Sequence, residues 1–107
     1  MRGAGEETTP LTILCVGRLG QHKGQAWLLE VYRQARPQFR RPVQLVLVGR
    51  DEGDEDNLRH AISSAGLEQE VLMTGELSDE ELEEWYSRAD LFALFSHYEA
   101  FGLVFFE

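Results

Sequence analysis

Short, almost uninterrupted apolar runs constrain the fold of this chain most strongly. Residues 11–16 read LTILCV, residues 43–48 read VQLVLV, residues 90–95 read DLFALF, and a weaker run, EVLMT, covers residues 70–74. Runs of this length, rich in β-branched and large side chains, are typical of strands covered on both faces of a parallel sheet. The sequence therefore predicts four buried strands.

Helical patterns fill the three intervals between these strands. Apolar side chains recur at helical spacing in residues 23–35 and 54–65, and Gly66 is a C-terminal stop for the second of these segments. The third helix is predicted to start at Ser78, which forms a capping box with Glu81. The order βαβαβαβ predicts an α/β fold with a Rossmann-like parallel sheet and flanking helices.

We expect residues 1–10 to be a flexible lead-in and residues 11–107 to form one incomplete Rossmann-like domain. After the fourth strand the pattern predicts a loop over residues 96–102. An apolar segment then starts at Leu103 and leads to a helix, with Glu107 in its first turns. A fourth strand without a neighbour would expose an apolar edge, so self-association through that edge is a hypothesis.

The composition of the chain argues against nucleic acids and anionic membranes as binding partners. The formal net charge is -9 and 43% of the residues are hydrophobic. Such a chain repels nucleic-acid phosphates and anionic lipid headgroups. Cys15 is the single cysteine, so no internal disulfide forms. The sequence shows no signal-peptide pattern and no apolar run of membrane-spanning length, and we expect a cytoplasmic protein.

The first candidate site is the glycine-rich stretch GRLGQHKG at residues 17–24. It lies between a strand and a helix, where backbone N–H groups and the helix dipole favour an anion. Arg18 and Lys23 add full positive charges, so the loop can hold a diphosphate. It is not a Walker A loop, since Gly24 and not Ser or Thr follows Lys23, and it is not a G-x-G-x-x-G motif either. A surface turn with two solvated cations is the alternative.

The second candidate site lies in residues 96–107, where Glu99 and Glu107 are separated by seven residues. One carboxylate in a loop and another on a helix could bind different hydroxyl groups of one ligand. The alternative is a surface helix with acidic residues near its N-terminus. His97 contacts the ligand or is a solvated loop residue. Residues 54–56 read DED, but their position at a helix start explains the charge without a metal.

Five motifs in order resemble the C-terminal domain of GT-B-fold retaining glycosyltransferases of family 4, also called glycosyl transferases group 1. The resemblance covers residues 11–107 and implies a domain that binds a nucleotide sugar. The motifs are GRL followed by KG in residues 16–24, LVLVG in residues 45–49, V-x-x-x-G-x-L in residues 71–77, E-E-L…Y-x-x-A-D in residues 80–90, and S-x-x-E-x-F-G-L…E in residues 96–107.

The resemblance implies roles for individual residues. Arg18 and Lys23 would neutralise the diphosphate of the donor, Glu99 would face the donor sugar, and these three form the expected catalytic set. Glu107 would bind the ribose hydroxyls. The other expected donor-binding residues are Gly17, Met73, Thr74, Gly75, His97, Phe101, Gly102 and Leu103.

The resemblance also implies an activity. The whole enzyme would transfer a hexose from a UDP-, GDP- or ADP-linked donor with retention at the anomeric carbon, using no cofactor and no obligatory metal. An N-terminal domain would bind the acceptor, so we expect this chain to be inactive alone. Two alternatives stay open: a subunit that completes its site with a separate acceptor-binding chain, and a non-enzymatic nucleotide-binding or oligomerising module.

Overall fold

The computed structural model describes residues 9–20, 24–96 and 99–105, with side chains up to residue 93. Within these residues the chain forms five strands and three α-helices, and a short 3-10 helix, Arg36–Gln38, follows the first helix. The elements in chain order are β1 Leu11–Val16, α1 Gln25–Ala35, β2 Val43–Val48, α2 Glu55–Ser64, β3 Val71–Gly75, α3 Asp79–Arg88, β4 Leu91–Ser96 and β5 Glu99–Phe105.

The five strands form one sheet in the order β3-β2-β1-β4-β5. The first four are parallel, and β1 and β2 pair in register from Leu11 opposite Val43 to Val16 opposite Val48. Each parallel strand begins and ends within one residue of its predicted bounds. The predicted α/β fold with a Rossmann-like parallel sheet is therefore confirmed, and the strands β1 to β4 all end at one side, called here the carboxyl end of the sheet.

Alternate residues of the central strands pack into two separate hydrophobic clusters. Leu45 and Leu47 are fully buried on the side of α1 and α2. Leu14 and Val46 are fully buried on the opposite side, where Trp85 of α3 packs against them. Because both faces of the sheet are covered, the strands read as continuous apolar runs in the sequence.

The helix boundaries follow the predicted local signals. The Ser78 hydroxyl accepts a hydrogen bond from the Glu81 N–H, and the Glu81 carboxylate accepts one from the Ser78 N–H, both at 3.1 Å. Gly66 follows α2 with φ of 71°, and the Leu67 N–H bonds back to the Ile62 carbonyl at 3.0 Å. None of the helices in the described part of the chain is long and apolar enough to cross a membrane.

The end of the chain differs from the prediction. Residues 99–105 form β5, which is antiparallel to β4 and begins with Glu99 opposite Ser96, where we predicted a loop that leads to a helix. The aliphatic and aromatic side chains after Gly102 favour a strand, and pairing satisfies the backbone groups along β4. β5 thus covers the edge of β4 that we expected to be exposed, so that edge no longer supports self-association.

Candidate functional site

Three glycines line the carboxyl end of the sheet. Gly17 and Gly49 directly follow β1 and β2, and Gly75 is the last residue of β3. The Gly17 N–H donates to the Val48 carbonyl at 2.9 Å, and the Gly49 N–H donates to the Gly75 carbonyl at 3.1 Å. This row has no side chains of its own, so a ligand can approach the backbone closely at the place where open α/β sheets bind their ligands.

Two loops are joined above this row. The Leu19 N–H donates to the Arg50 carbonyl at 2.8 Å, and the Glu52 N–H donates to the Leu19 carbonyl at 2.9 Å. Leu19 is also nearly fully buried and forms a parallel bridge with Asp51. The loop after β1 is therefore held to the loop after β2 by backbone bonds and by a buried side chain.

Gln25, the first residue of α1, fixes the other side of the first loop. Its amide nitrogen donates to the Arg18 carbonyl at 2.9 Å and lies 3.5 Å from the Gly17 carbonyl. The side chain is buried, and its amide oxygen has no hydrogen-bond partner among the described residues. The carbonyl groups of the loop are thus drawn toward the helix, and a buried acceptor is left available beside it.

The start of α1 differs from those of α2 and α3. The Asp51 carboxylate accepts hydrogen bonds from the N–H groups of Gly53, Asp54 and Glu55 at 2.8–3.1 Å and so caps α2. α3 has its capping box and three acidic residues in its first turn. α1 follows Gly24, with no side-chain cap and no acidic residue in its first turn. Among the three described helices, it is the one whose positive end has neither a side-chain cap nor an acidic first turn among the described residues.

Arg18 lies at this end of the sheet with its side chain 57% exposed. Its guanidinium is 3.5 Å from a carboxylate oxygen of Glu52, and Arg50 is 2.9 Å from the same oxygen. The two arginines and the glutamate belong to the two joined loops. Arg18 is therefore accessible to a ligand and is held by an exposed ion pair.

The predicted contributions of β3 are placed at the same end of the sheet. Met73 lies beside Leu47 of β2 and packs partly against the core on the α1 and α2 side. The Thr74 hydroxyl donates to the Gly75 carbonyl at 2.9 Å. Gly75 has φ of 76°, and a Cβ atom added there would meet no atom within 4 Å. Gly17, Arg18 and Gly75 are thus brought together, with Met73 and Thr74 just behind them.

The second predicted loop is placed differently. Glu99 lies opposite Ser96 at the carboxyl end, but Gly102 and Leu103 lie opposite Leu94 and Ala93, within the ladder. Phe101 also lies in β5, between Glu99 and Gly102. Lys23, His97 and Glu107 lie outside the described residues.

The sequence DED at residues 54–56 belongs to the start of α2. Asp54 is buried and accepts a hydrogen bond from the Asn57 amide at 3.1 Å. Within residues 9–20, 24–96 and 99–105, no group of three or more His, Cys, Asp or Glu side chains is arranged to hold a metal ion. Burial raises the pKa of the Cys15 thiol to about 12, so it is a neutral core residue at pH 7.

A cavity of about 490 Å³ lies at the opposite, amino end of the sheet. It is an open depression between the starts of β1 and β2 and the end of α3, and its lining includes Thr12, Gln44 and Trp85. The candidate site at the carboxyl end is identified by its position in the fold and by the exposed charge of Arg18.

An open α/β sheet with an exposed arginine and glycines at its carboxyl end belongs to the class of Rossmann-like domains, which bind their ligands at that end. The chain belongs to the glycosyl transferases group 1 family, whose model matches residues 1–107. The predicted resemblance to the C-terminal domain of GT-B-fold glycosyltransferases is thereby confirmed at the level of family and fold.

Two characterised relatives are similar to this chain. Mannosylfructose-phosphate synthase from Agrobacterium fabrum is 33% identical over 100 residues, which cover 86% of this chain and 22% of the relative. GDP-mannose:cellobiosyl-diphosphopolyprenol alpha-mannosyltransferase from Xanthomonas oryzae is 32% identical over 106 residues, 95% of this chain and 27% of the relative. The chain thus spans about a quarter of the length of these relatives.

Two solved structures show the same architecture. HepE from Anabaena, in complex with UDP and glucose, is 30% identical with a TM-score of 0.67 over 81% of this chain and 23% of that chain. The C-terminal domain of the group 1 glycosyl transferase LpcC from Francisella tularensis has a TM-score of 0.72 at 22% identity, over 89% of this chain and 52% of that chain. The second likeness concerns the fold alone.

The structure adds residues that the sequence did not single out. Gln25 directly follows the predicted loop, and Arg50 and Glu52 follow the LVLVG motif. Their only signal was their position after predicted strands, next to residues already chosen. The order of strands in the sheet decides which side chains of the two loops come into contact. That order could not be predicted from the sequence.

Proposed function

We propose that this chain is the donor-binding part of a retaining glycosyltransferase that transfers a hexose from a nucleotide-diphospho-sugar to an acceptor. The observation that carries the proposal is the combination at one end of the sheet of a glycine row, an exposed Arg18 and the one described helix start without an internal cap. This arrangement suits a diphosphate, because N–H groups and a guanidinium both favour the anion.

Arg18 and Lys23 are proposed to stabilise the negative charge that develops on the leaving nucleoside diphosphate. With two cations in this role, the proposal includes no cofactor and no obligatory metal. The main chain of Glu99 lies at the carboxyl end, which supports its assignment to the donor sugar. Glu107 is proposed to bind the ribose, and residues 73–75 to lie near the base. His97 and the segment Phe101, Gly102 and Leu103 complete the proposed donor contacts.

Two proteins similar to this chain suggest uridine and guanosine donors for the first tests. HepE was solved with UDP and glucose, and the Xanthomonas relative is named for GDP-mannose. Because this chain spans about a quarter of its relatives, transfer itself is proposed for a protein that also contains an acceptor-binding part. The chain alone is proposed to bind the donor without transferring it.

Calorimetric titration of the chain with UDP-glucose, GDP-mannose and ADP-glucose tests the proposal. We expect saturable binding of at least one donor, and binding about ten-fold weaker or more in Arg18→Ala, because a hydrogen bond to a charged group is lost. Arg59→Ala is the matched control, since Arg59 is also 57% exposed and also paired with a glutamate. A folded chain that binds no donor, or equal binding in Arg18→Ala, would refute the proposal.

A further inference from the structure

A single carboxylate oxygen joins the two arginines of the candidate site. Oε2 of Glu52 lies 2.9 Å from Nη2 of Arg50 and 3.5 Å from Nη1 of Arg18. The Glu52 side chain is 32% exposed, less than either arginine. The shorter contact is to Arg50, so the carboxylate is bound more closely to that residue than to Arg18.

The backbone of Glu52 cannot move away from this position easily. Its N–H donates to the Leu19 carbonyl, and the neighbouring Arg50 carbonyl accepts from the Leu19 N–H. A negative charge is thus fixed beside the loop that is proposed to bind a diphosphate. Such a charge opposes an anionic ligand unless a cation of the protein neutralises it.

We propose that Glu52 is an internal counter-ion that occupies Arg18 when the site is empty and is displaced by the donor diphosphate, while Arg50 retains the displaced carboxylate. This inference rests on the proposed function and names a residue that sets donor affinity without contacting the donor. In the empty state the Arg18 charge is satisfied by Glu52. In the bound state Arg18 turns to the diphosphate, and Arg50 prevents Glu52 from repelling it.

The solvent exposure of the Arg18–Glu52 ion pair determines how strongly Glu52 can affect nucleotide binding. An exposed ion pair contributes little, so displacing it weakens ligand binding by a small factor. We expect Glu52→Gln, which keeps the shape of the side chain and removes its charge, to bind UDP or GDP about two- to five-fold more tightly than the wild-type chain.

Substitution of Arg50 provides a second, independent test of the proposal. Arg50→Gln removes the partner that retains Glu52, so it should weaken nucleotide binding when Glu52 is present. In the Glu52→Gln background the same change should have little effect, since no carboxylate remains to be neutralised. The double-mutant cycle therefore predicts a coupling between the two substitutions in the binding free energy.

The experiment is a calorimetric titration of the four chains (wild type, both single variants and the double variant) with UDP and with GDP. Glu68→Gln is the control for net charge, because Glu68 is exposed and precedes β3 at the opposite end of the sheet. Urea unfolding of each variant establishes that it is folded.

Tighter binding in Glu52→Gln, unchanged binding in Glu68→Gln and non-additive effects of Arg50→Gln would support the inference. Weaker or equal binding in Glu52→Gln would overturn it and would show instead that Glu52 positions Arg18 or plays no part. A folded wild-type chain that binds neither UDP nor GDP would overturn the inference, and binding of no donor in the titration that tests the proposed function would remove that function as well.

Discussion

Gly49 lies so close to Gly17 that a Cβ atom at position 49 would be 1.9 Å from the Gly17 carbonyl oxygen. The contact joins the carboxyl ends of β1 and β2, the two central strands that carry the candidate site. It leaves no room for any side chain larger than hydrogen, and the atom that blocks it belongs to the backbone. The geometry of the site therefore depends on a glycine that need not contact the ligand.

Gly49→Ala is expected to destabilise the chain by about 3 kcal/mol, because the methyl group would force the two strand ends apart and the positive φ is unfavourable for alanine. Gly53→Ala is the matched control: its φ is 112°, but no atom lies within 4 Å of an added Cβ. Urea unfolding of both variants should show a clearly larger loss for Gly49→Ala. Equal losses of stability in the two variants would mean that the positive φ, and not the contact with Gly17, causes the destabilisation.

Gln25→Met is expected to weaken donor binding by about three- to ten-fold, because the amide that holds the Arg18 carbonyl at 2.9 Å is lost while the volume of the side chain is kept. Gln34→Met, on the exposed side of the same helix, is the control. Titration with the donor that binds the wild-type chain checks both. Unchanged affinity in Gln25→Met would show that the loop keeps its conformation without this bond.

Asp51 gives a prediction about pH. The N–H groups of Gly53, Glu55 and Asp54 hold the pKa of Asp51 below its ordinary value of 3.8. A carboxyl group with a lowered pKa in the folded state contributes stability that is present above the unfolded pKa and is lost as the pH falls through the folded pKa. The contribution of Asp51 should therefore be present at neutral pH and should fall away in acid.

Asp51→Asn tests this, since asparagine also caps helices but carries no charge. The difference in unfolding free energy between wild type and variant should be largest at neutral pH and should shrink as the pH falls below 3.8, the ordinary pKa of this carboxyl group. Asp56→Asn makes the same change of charge in the first turn of α2 without removing the three hydrogen bonds. A difference that does not vary with pH would contradict the assignment.

Ser78→Ala should cost about 1 kcal/mol of stability, since it removes the hydrogen bond of the capping box that the Ser78 hydroxyl accepts from the Glu81 N–H. Ser87→Ala, in the last turn of the same helix, also removes an exposed hydroxyl that bonds to the backbone. Chemical unfolding should show a loss at least twice as large for Ser78→Ala as for Ser87→Ala. Equal losses would mean that the box adds nothing beyond an ordinary hydroxyl contact.

Much of the fold could be predicted because its signals are local. The runs at residues 11–16 and 43–48 coincide with β1 and β2, since strands buried on both faces show uninterrupted apolar sequence. The helix boundaries at Gly66 and Ser78 were predictable for the same reason, because a cap depends on a few neighbouring residues.

The remaining features depend on contacts between distant residues. The sequence after Gly102 is compatible with a strand or with the approach to a helix, and a short apolar run does not decide between them. Pairing with β4 decides it in the structure. Likewise Arg18 was predictable from its glycine-rich loop, whereas its contact with Glu52 exists only because β1 and β2 are neighbours. The ligand-binding roles assigned to Arg18, Glu99 and the other site residues stay predictions, and Lys23, His97 and Glu107 lie outside the described residues.

A two-dimensional NMR titration of the chain with UDP-glucose and GDP-mannose tests the central claim most directly. The glycine amides are suitable reporters, because Gly17, Gly49 and Gly75 lie at the carboxyl end of the sheet, while Gly66 lies at the amino end after α2. We predict saturable shifts at the first three with one of the donors, little change at Gly66, and weaker binding in Arg18→Ala. Shifts centred on Gly66, or no saturable shifts from a folded chain with any donor, would contradict the account.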